Sequence, residues 1–314
     1  MKKIAYLILA HSDPTQLGML SKALDKECND LYIHIDAKQK NIEEFKSKAS
    51  KNSCFLEHRV NVNWGGISTI DAQNLLLKQG LIHKQNYSHM VFISGSCYPI
   101  KNTRLLHQML TQAPYSQFIK YIDMRESPDY YLKFISQKKF YDPVIPRAKS
   151  KPLRLLDKVM RTLLNRINIP NDWGQKIVPY HGSQWCALTT ECCQYIIDFQ
   201  NKNPWFREMN KYTFFPDEHY YHTIIGNSEF AEHSTGIQAF KGRGTWQWAN
   251  LHIISHIFKK WFTTEDWEEI VNSDQYFVRK VRSCDGAELV ERINRELLEL
   301  QNTSVDGHID STHH

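Results

Sequence analysis

No apolar run in this chain approaches the roughly 18–20 residues that a bilayer-spanning helix requires. The apolar stretch at the start, Ile4-Ala5-Tyr6-Leu7-Ile8-Leu9-Ala10, is too short for the core of a signal peptide. It is followed by His11-Ser12-Asp13-Pro14, not by a small-residue cleavage site. It reads as a buried first strand. Internal repeats are absent, which excludes solenoids and propellers. The seven cysteines are odd in number and lack metal-ligand spacing, and the adjacent Cys192 and Cys193 are poorly placed to bridge each other. Reduced thiols, several of them buried, are expected, in a cytoplasmic setting. A strong charge of one sign is also missing. The net +5 suits anionic small molecules or an anionic surface and gives no reason to expect nucleic acid.

The composition is that of a folded enzyme-sized domain. At 314 residues and 41% hydrophobic, the chain can bury a full core. Aromatic residues make up 12%, and Trp and Tyr faces commonly stack on sugar rings, although most such residues serve the core.

Strand and helix signals alternate. Residues 4–10 read as a strand and Thr15 to Lys26 as a helix with Leu17, Leu20 and Leu24 on one face. Leu31 to Asp36 reads as a second strand. This βαβ unit argues for parallel pairing. A short strand is expected at Val60–Asn63, running into Trp64-Gly65-Gly66, then a helix from about Ser68 to Leu81. Met90–Ile93 reads as a central strand stopped by Ser94-Gly95-Ser96. Ligands of such sheets bind at carboxyl ends of strands, and His11, Asp36, Trp64-Gly65 and Ser94-Gly95 all fall at predicted ends.

Further on, Ser183–Leu188 reads as a strand, Thr190–Phe199 as a helix, and Pro216-Asp217-Glu218 as the opening of a helix to about Ile225. Thr263 and Asp266 form a capping-box pattern for a helix reaching about Val271. Residues 302–314 read as a disordered tail. Between these regions, Lys138–Arg166 is basic, and after Pro152 it becomes an amphipathic helix with interleaved leucines. Two readings stand: a surface helix packed on the domain, or a patch that docks on an anionic membrane face.

Many nucleotide-sugar enzymes with such sheets hold a divalent metal on an Asp-any-Asp motif, and that motif is absent. Basic side chains are then expected to stabilise a departing diphosphate. Several ordered motifs resemble the core-2/I-branching β-1,6-N-acetylglucosaminyltransferase family, which includes peptide O-xylosyltransferases and bacterial relatives. They are Ala5–His11, Ile33–Lys38, Trp64–Ser68, Ser94–Ile100, Gly182-Ser183-Gln184-Trp185, Pro216-Asp217-Glu218 and Ser273–Lys280. Each is weak alone; their order carries the resemblance, over Ala5 to about Arg282.

The resemblance implies a GT-A-type, Rossmann-like mixed sheet flanked by helices in one large domain, 1–301. A nucleotide-binding half would span about 1–125 and an acceptor half about 126–301. It further implies inversion at the anomeric carbon without a metal or other cofactor. Glu218 becomes the general base, and Lys280 with a preceding Arg the diphosphate contact. Ala10, His11, Asp36, Trp64 and Gly65 fall at the nucleotide-sugar, and Ser183, Gln184, Trp185 and Asp217 at the sugar or acceptor pocket. The donor is expected to be UDP-linked, with N-acetylglucosamine first and xylose or glucuronate as rivals. The acceptor is a glycan or lipid-linked oligosaccharide, reached at the inner face of the cytoplasmic membrane.

Two positions depart from the family pattern. The family's Arg four residues before Trp248 is Gly244 here, which leaves Arg243, Lys241 or Arg279 to serve, and Cys97 stands where relatives often carry Asp. Other readings of the same residues remain. Glu218 can be a helix-start acid, His11 and His34 structural strand-end residues, and Glu218, His219 and His222 a metal cluster of a hydrolase. A catalytically inactive binding module is the remaining alternative.

Overall fold

The opening apolar run forms strand β1 (Lys3–Ala10), buried along nearly its whole length. Helix α1 (Pro14–Leu24) follows, capped by Asp13, whose carboxylate accepts the Gln16 backbone N–H at 2.9 Å. Then come β2 (Asn29–Ile35), α2 (Ile42–Lys48), β3 (Ser53–Phe55), α3 (Ser68–Leu81) and β4 (Tyr87–Ser94). The strands lie in the order β3-β2-β1-β4, all parallel, as the βαβ pattern requires. This computed structural model describes residues 2–112, 117–145, 150–166, 177–257 and 259–299; the expected tail, 302–314, lies outside them.

The middle of the chain extends the sheet with the opposite sense. It supplies β5 (Cys97–Pro99), α4 (Thr103–Gln112), β6 (Gln117–Asp123), α5 (Leu132–Ser136), α6 (Lys151–Leu164), β7 (Tyr180–Gly182) and β8 (Ala187–Thr189). After these come α7 (Thr190–Lys202), α8 (Pro204–Asn210), α9 (Tyr220–Gly226) and β9 (Ser234–Ile237). Strand β8 runs antiparallel beside β4, then β6 and β7 follow, and β9 pairs parallel with β6. Finally β10 (His252–Ile254), α10 (Trp267–Val271), β11 (Phe277–Arg279) and α11 (Ser283–Ile293) complete the described chain. Strands β10, β11 and β5 make a second small sheet. The architecture is the expected α/β class, a large mixed sheet flanked by helices.

Alternation along β1 sorts its side chains to two cores. Ile4, Tyr6 and Ile8 face α1, α4 and α11, together with Phe277 and Val278 of β11. Ala5 and Leu7 face the other way, toward α3, α7, α8 and α9. Residues of both expected halves thus share the first core. A third cluster, Ile122, Met124, Tyr131, Phe134, Ile135 and Trp248, is separate from both.

Several expected boundaries move. Val60–Asn63 is not a strand, because its backbone groups are satisfied elsewhere. The Val60 N–H bonds His34 Nε2 at 2.9 Å, the Val60 carbonyl accepts from Ala37, and the Asn63 N–H bonds Ser68 Oγ at 2.8 Å. The expected strand Ser183–Leu188 shrinks to β8; in its first part the Trp185 N–H turns to Ser183 Oγ, while Tyr180–Gly182 forms β7. Pro216–Glu218 is a 3₁₀ turn that leads into α9. The Thr263–Asp266 capping box forms as expected. The basic helix also forms, but it is not packed by its apolar side: Leu155, Leu156, Val159 and Leu163 are exposed, and only Asp157 is buried.

Candidate active site

The carboxyl ends of β1, β2 and β4 open into a cleft of about 600 Å³. These ends are fixed by backbone bonds: the Asp36 N–H reaches the Ala10 carbonyl at 2.9 Å, and the Gly95 N–H reaches the Leu9 carbonyl at 2.8 Å. Asp36 is nearly buried. Its Oδ1 accepts the Lys38 N–H at 2.8 Å and its Oδ2 lies 3.3 Å from Lys38 Nζ. His34 has a structural part, as one expectation held: its ring nitrogen accepts the Val60 N–H, and burial lowers its pKa to about 4, so it is neutral. His11 lies at the cleft, and its carbonyl accepts from Gln39 Nε2 at 2.5 Å.

Cations enter from β11 and from the loop before Trp248. Arg279 extends over the Trp185 ring, with its Cζ 4.4 Å from the centroid, and hydrogen-bonds Ser94 Oγ. Burial works against its charge, but a guanidinium titrates so high that it stays cationic. Burial and the neighbouring Arg279 lower the Lys280 pKa. Arg243 lies 4.3 Å above the Tyr130 ring. Of the three candidates for the displaced arginine, Arg243 and Arg279 line the cleft and Lys241 does not. The backbone explains the departure at Gly244. Its φ is 117°, and a Cβ there would stand 2.3 Å from the Trp246 indole nitrogen, so no side chain fits without rearrangement. Cys97 is fully buried behind Ser94, with its sulfur 3.4 Å from Ser94 Oγ.

An aromatic wall carries the acids. Phe215 takes φ 50°, a costly setting for a non-glycine residue, and its N–H bonds the carbonyl of Gly65, itself at φ 78°. Trp64 stands edge-on to Phe215 at 4.6 Å and is 63% exposed. Glu218 follows on the 3₁₀ turn, its Oε2 3.9 Å from His181 Nε2. That pair is no ion pair: burial, with His222 and His219 close by, drives the His181 pKa far down and keeps the ring neutral. His181 in turn stacks on Tyr131 at 3.9 Å. The third member of the former cluster, His222, bonds the Ser183 carbonyl through Nε2 at 3.0 Å. Among the described residues, no group of three or more His, Cys, Asp or Glu side chains is arranged to hold a metal.

Asp217 differs from its neighbour. Burial pushes its carboxyl up to about 6, against the pull of Arg279 and Gln184, and its Oδ1 accepts no hydrogen bond from the described residues. Gln184 accepts from Gln73 Nε2 at 3.2 Å, and Ser183 and Trp185 are both buried at the cleft edge. Of the residues named above as site candidates, Ala10, His11, Asp36, Trp64, Gly65, Ser183, Gln184, Trp185, Asp217, Glu218, Arg243 and Lys280 line this one cleft, while Lys241, His219 and His222 do not. Tyr130, Tyr131, Phe134 and Trp246 also line it and escaped the sequence reading. They sit outside strand ends and recurrent motifs, so no pattern singled them out from core aromatics.

A family model described as Branch, core-2/I-branching enzyme, matches residues 4–270. Among curated proteins, the chain is similar to Xylosyltransferase oxt of Drosophila melanogaster, 23% identical over 300 residues. That alignment covers 88% of this chain but 31% of the fly protein, so the chain spans less than a third of that relative. Among solved structures, mouse xyloside xylosyltransferase 1, apo form, aligns at 11% identity with a TM-score of 0.32, over 87% of this chain and 97% of the mouse chain.

Proposed function

The chain belongs to the core-2/I-branching enzyme family, and on that premise we propose that this glycosyltransferase inverts its donor by a single displacement, using cations in place of a metal. The observation that carries the reading is the meeting of Glu218 with Arg243, Arg279 and Lys280 in one cleft at the ends of the parallel strands. The acceptor oxygen attacks the anomeric carbon, its proton passes to the Glu218 carboxylate, and the sugar–phosphate bond breaks on the opposite face. The nucleoside diphosphate leaves with the bonding pair, and the basic side chains offset its charge.

The acids of the cleft suit this division. Asp36 is engaged by Lys38, Asp217 is buried beside Arg279, and Glu218 stands at the end of the aromatic wall, at the position to which the family resemblance assigns proton transfer. Trp64, largely exposed at the cleft, is the aromatic side chain we assign to contact with a glycan ring. We infer a UDP-linked donor. N-acetylglucosamine comes first from the resemblance of the motifs, xylose second from the name of the fly relative, and glucuronate third.

A panel of nucleotide-sugars with glycan acceptors, assayed with excess chelator, tests the reading. UDP release and product formation should persist in EDTA. Loss of turnover that manganese or magnesium restores would overturn metal independence, and absence of turnover with every donor would overturn the transfer itself.

A further inference from the structure

Helix α6 is amphipathic in an unusual sense, because its apolar side faces away from the protein. At 100° per residue, Pro152, Leu155, Leu156, Val159 and Leu163 fall within one arc of about 100°. The four aliphatic side chains of that arc are 64%, 49%, 47% and 54% exposed in chain order. The opposite side is the attached one. Asp157 is buried there and accepts the Val144 and Ile145 N–H groups at 2.7 and 2.9 Å and Arg161 Nε at 2.9 Å. A carboxylate thus holds the helix down, and leucines point outward. A soluble surface helix has the reverse arrangement.

Charge borders the apolar arc. Lys151, Arg154 and Lys158 run along one edge, all exposed, and none is ion-paired with a carboxylate among the described residues. Leucines flanked by unneutralised cations match the boundary of an anionic bilayer, where acyl chains lie just beneath phosphate groups. A protein partner with an apolar groove would satisfy the leucines but gives no reason for the row of cations. The helix also connects to the cleft. Arg161 Nη1 donates to the Tyr141 carbonyl at 3.3 Å, and the Tyr141 ring stacks on Phe214 and stands edge-on to Trp64.

We propose that α6 lies in the surface of an anionic lipid bilayer, with the Leu155–Leu163 arc among the upper acyl chains and the Lys151, Arg154 and Lys158 edge on lipid phosphates. The docking stands independently of catalysis. Its use, to bring a lipid-linked acceptor to the Trp64 rim, rests on the transferase reading.

Flotation of the full chain with vesicles of phosphatidylcholine alone, and of phosphatidylcholine with an equal share of phosphatidylglycerol, tests it. The chain should float with the anionic vesicles, less so as salt rises, and not with the neutral ones. Leu155→Glu/Val159→Glu and Lys151→Glu/Lys158→Glu should each lower binding at least about tenfold, while thermal stability and turnover of a soluble acceptor stay as in the wild type. Flotation that is absent, indifferent to lipid charge, or unchanged in both variants would overturn the proposal. So would a wild-type dimer that the leucine variant abolishes, since a second copy would then cover the arc. If flotation holds and turnover of every donor fails, the transferase reading falls alone.

Discussion

The floor of the cleft is made where parallel strands end, and its wall is made of rings gathered from distant segments. On the floor, Ala10, Asp36 and Gly95 are set by hydrogen bonds between strand ends, largely independent of side-chain shape. On the wall, Glu218 depends on a chain of contacts through His181, Tyr131, Phe134, Phe214, Phe215 and Trp64, drawn from four separate stretches. A floor of this kind tolerates exchange of most side chains, whereas a wall of rings transmits any loss of volume to the acid it holds. The floor and its cations are then expected to govern how the donor is held, and the wall how the acceptor is deprotonated.

The largest break in that division should come from Glu218→Gln, which keeps shape and removes basicity. Turnover should fall about 10²- to 10⁴-fold with donor affinity, measured by calorimetry, close to wild type. Retained turnover here, with turnover abolished in Asp217→Asn, would move the base by one residue.

Lys280→Ala tests the floor side. Donor affinity and turnover should fall together, by roughly 2–4 kcal/mol in kcat/KM. Arg243→Ala measured in parallel shows whether the arginine beside Gly244 shares the diphosphate. Unchanged kinetics in that variant would leave the task to Arg279 and Lys280.

The smallest effect concerns stability at the seam between the two regions. The Asp217 carboxyl rises from 3.8 to about 6 in the folded chain, so folding tightens its hold on the proton. Wild-type stability should therefore decline as pH rises from about 4 to about 6 and level off above, by up to about 3 kcal/mol. Asn does not titrate, so Asp217→Asn should gain stability over the wild type across that window. Melting curves at the two ends check this; an equal difference at both would show that the buried charge is not the cause.

The same contrast explains what could be read from the chain alone. β1, α1, β2, α3 and β4 were legible because apolar runs, caps and periodicity act locally, and the strand-end rule then located the floor. Val60–Asn63 misled because its apolar residues invite a strand, while the bonds that prevent one come from His34 and Ser68 side chains. The tyrosines at 130 and 131 and Trp246 were invisible for a different reason. An aromatic ring in a loop looks the same in sequence whether it fills a core or faces a ligand, and only the fold separates the two. The outward turn of α6 was equally hidden, since periodicity reveals that a helix has an apolar side but not which way that side points.

Strand β11 has a consequence for how the protein is made. Phe277 and Val278 cover the same core as Ile4, Tyr6 and Ile8, and Asp13 at the start of α1 bonds both the N–H and the hydroxyl of Ser283. During synthesis, β1, β2 and β4 emerge long before these partners exist, by roughly ten to forty seconds at about 5–20 residues per second. For that interval the nascent chain carries the strand ends of the cleft without Arg279 or Lys280, and one face of its central strand lacks part of its cover. A message broken before the codon for Lys280 would thus yield a sticky fragment for chaperones and proteases to clear, not an enzyme of reduced activity.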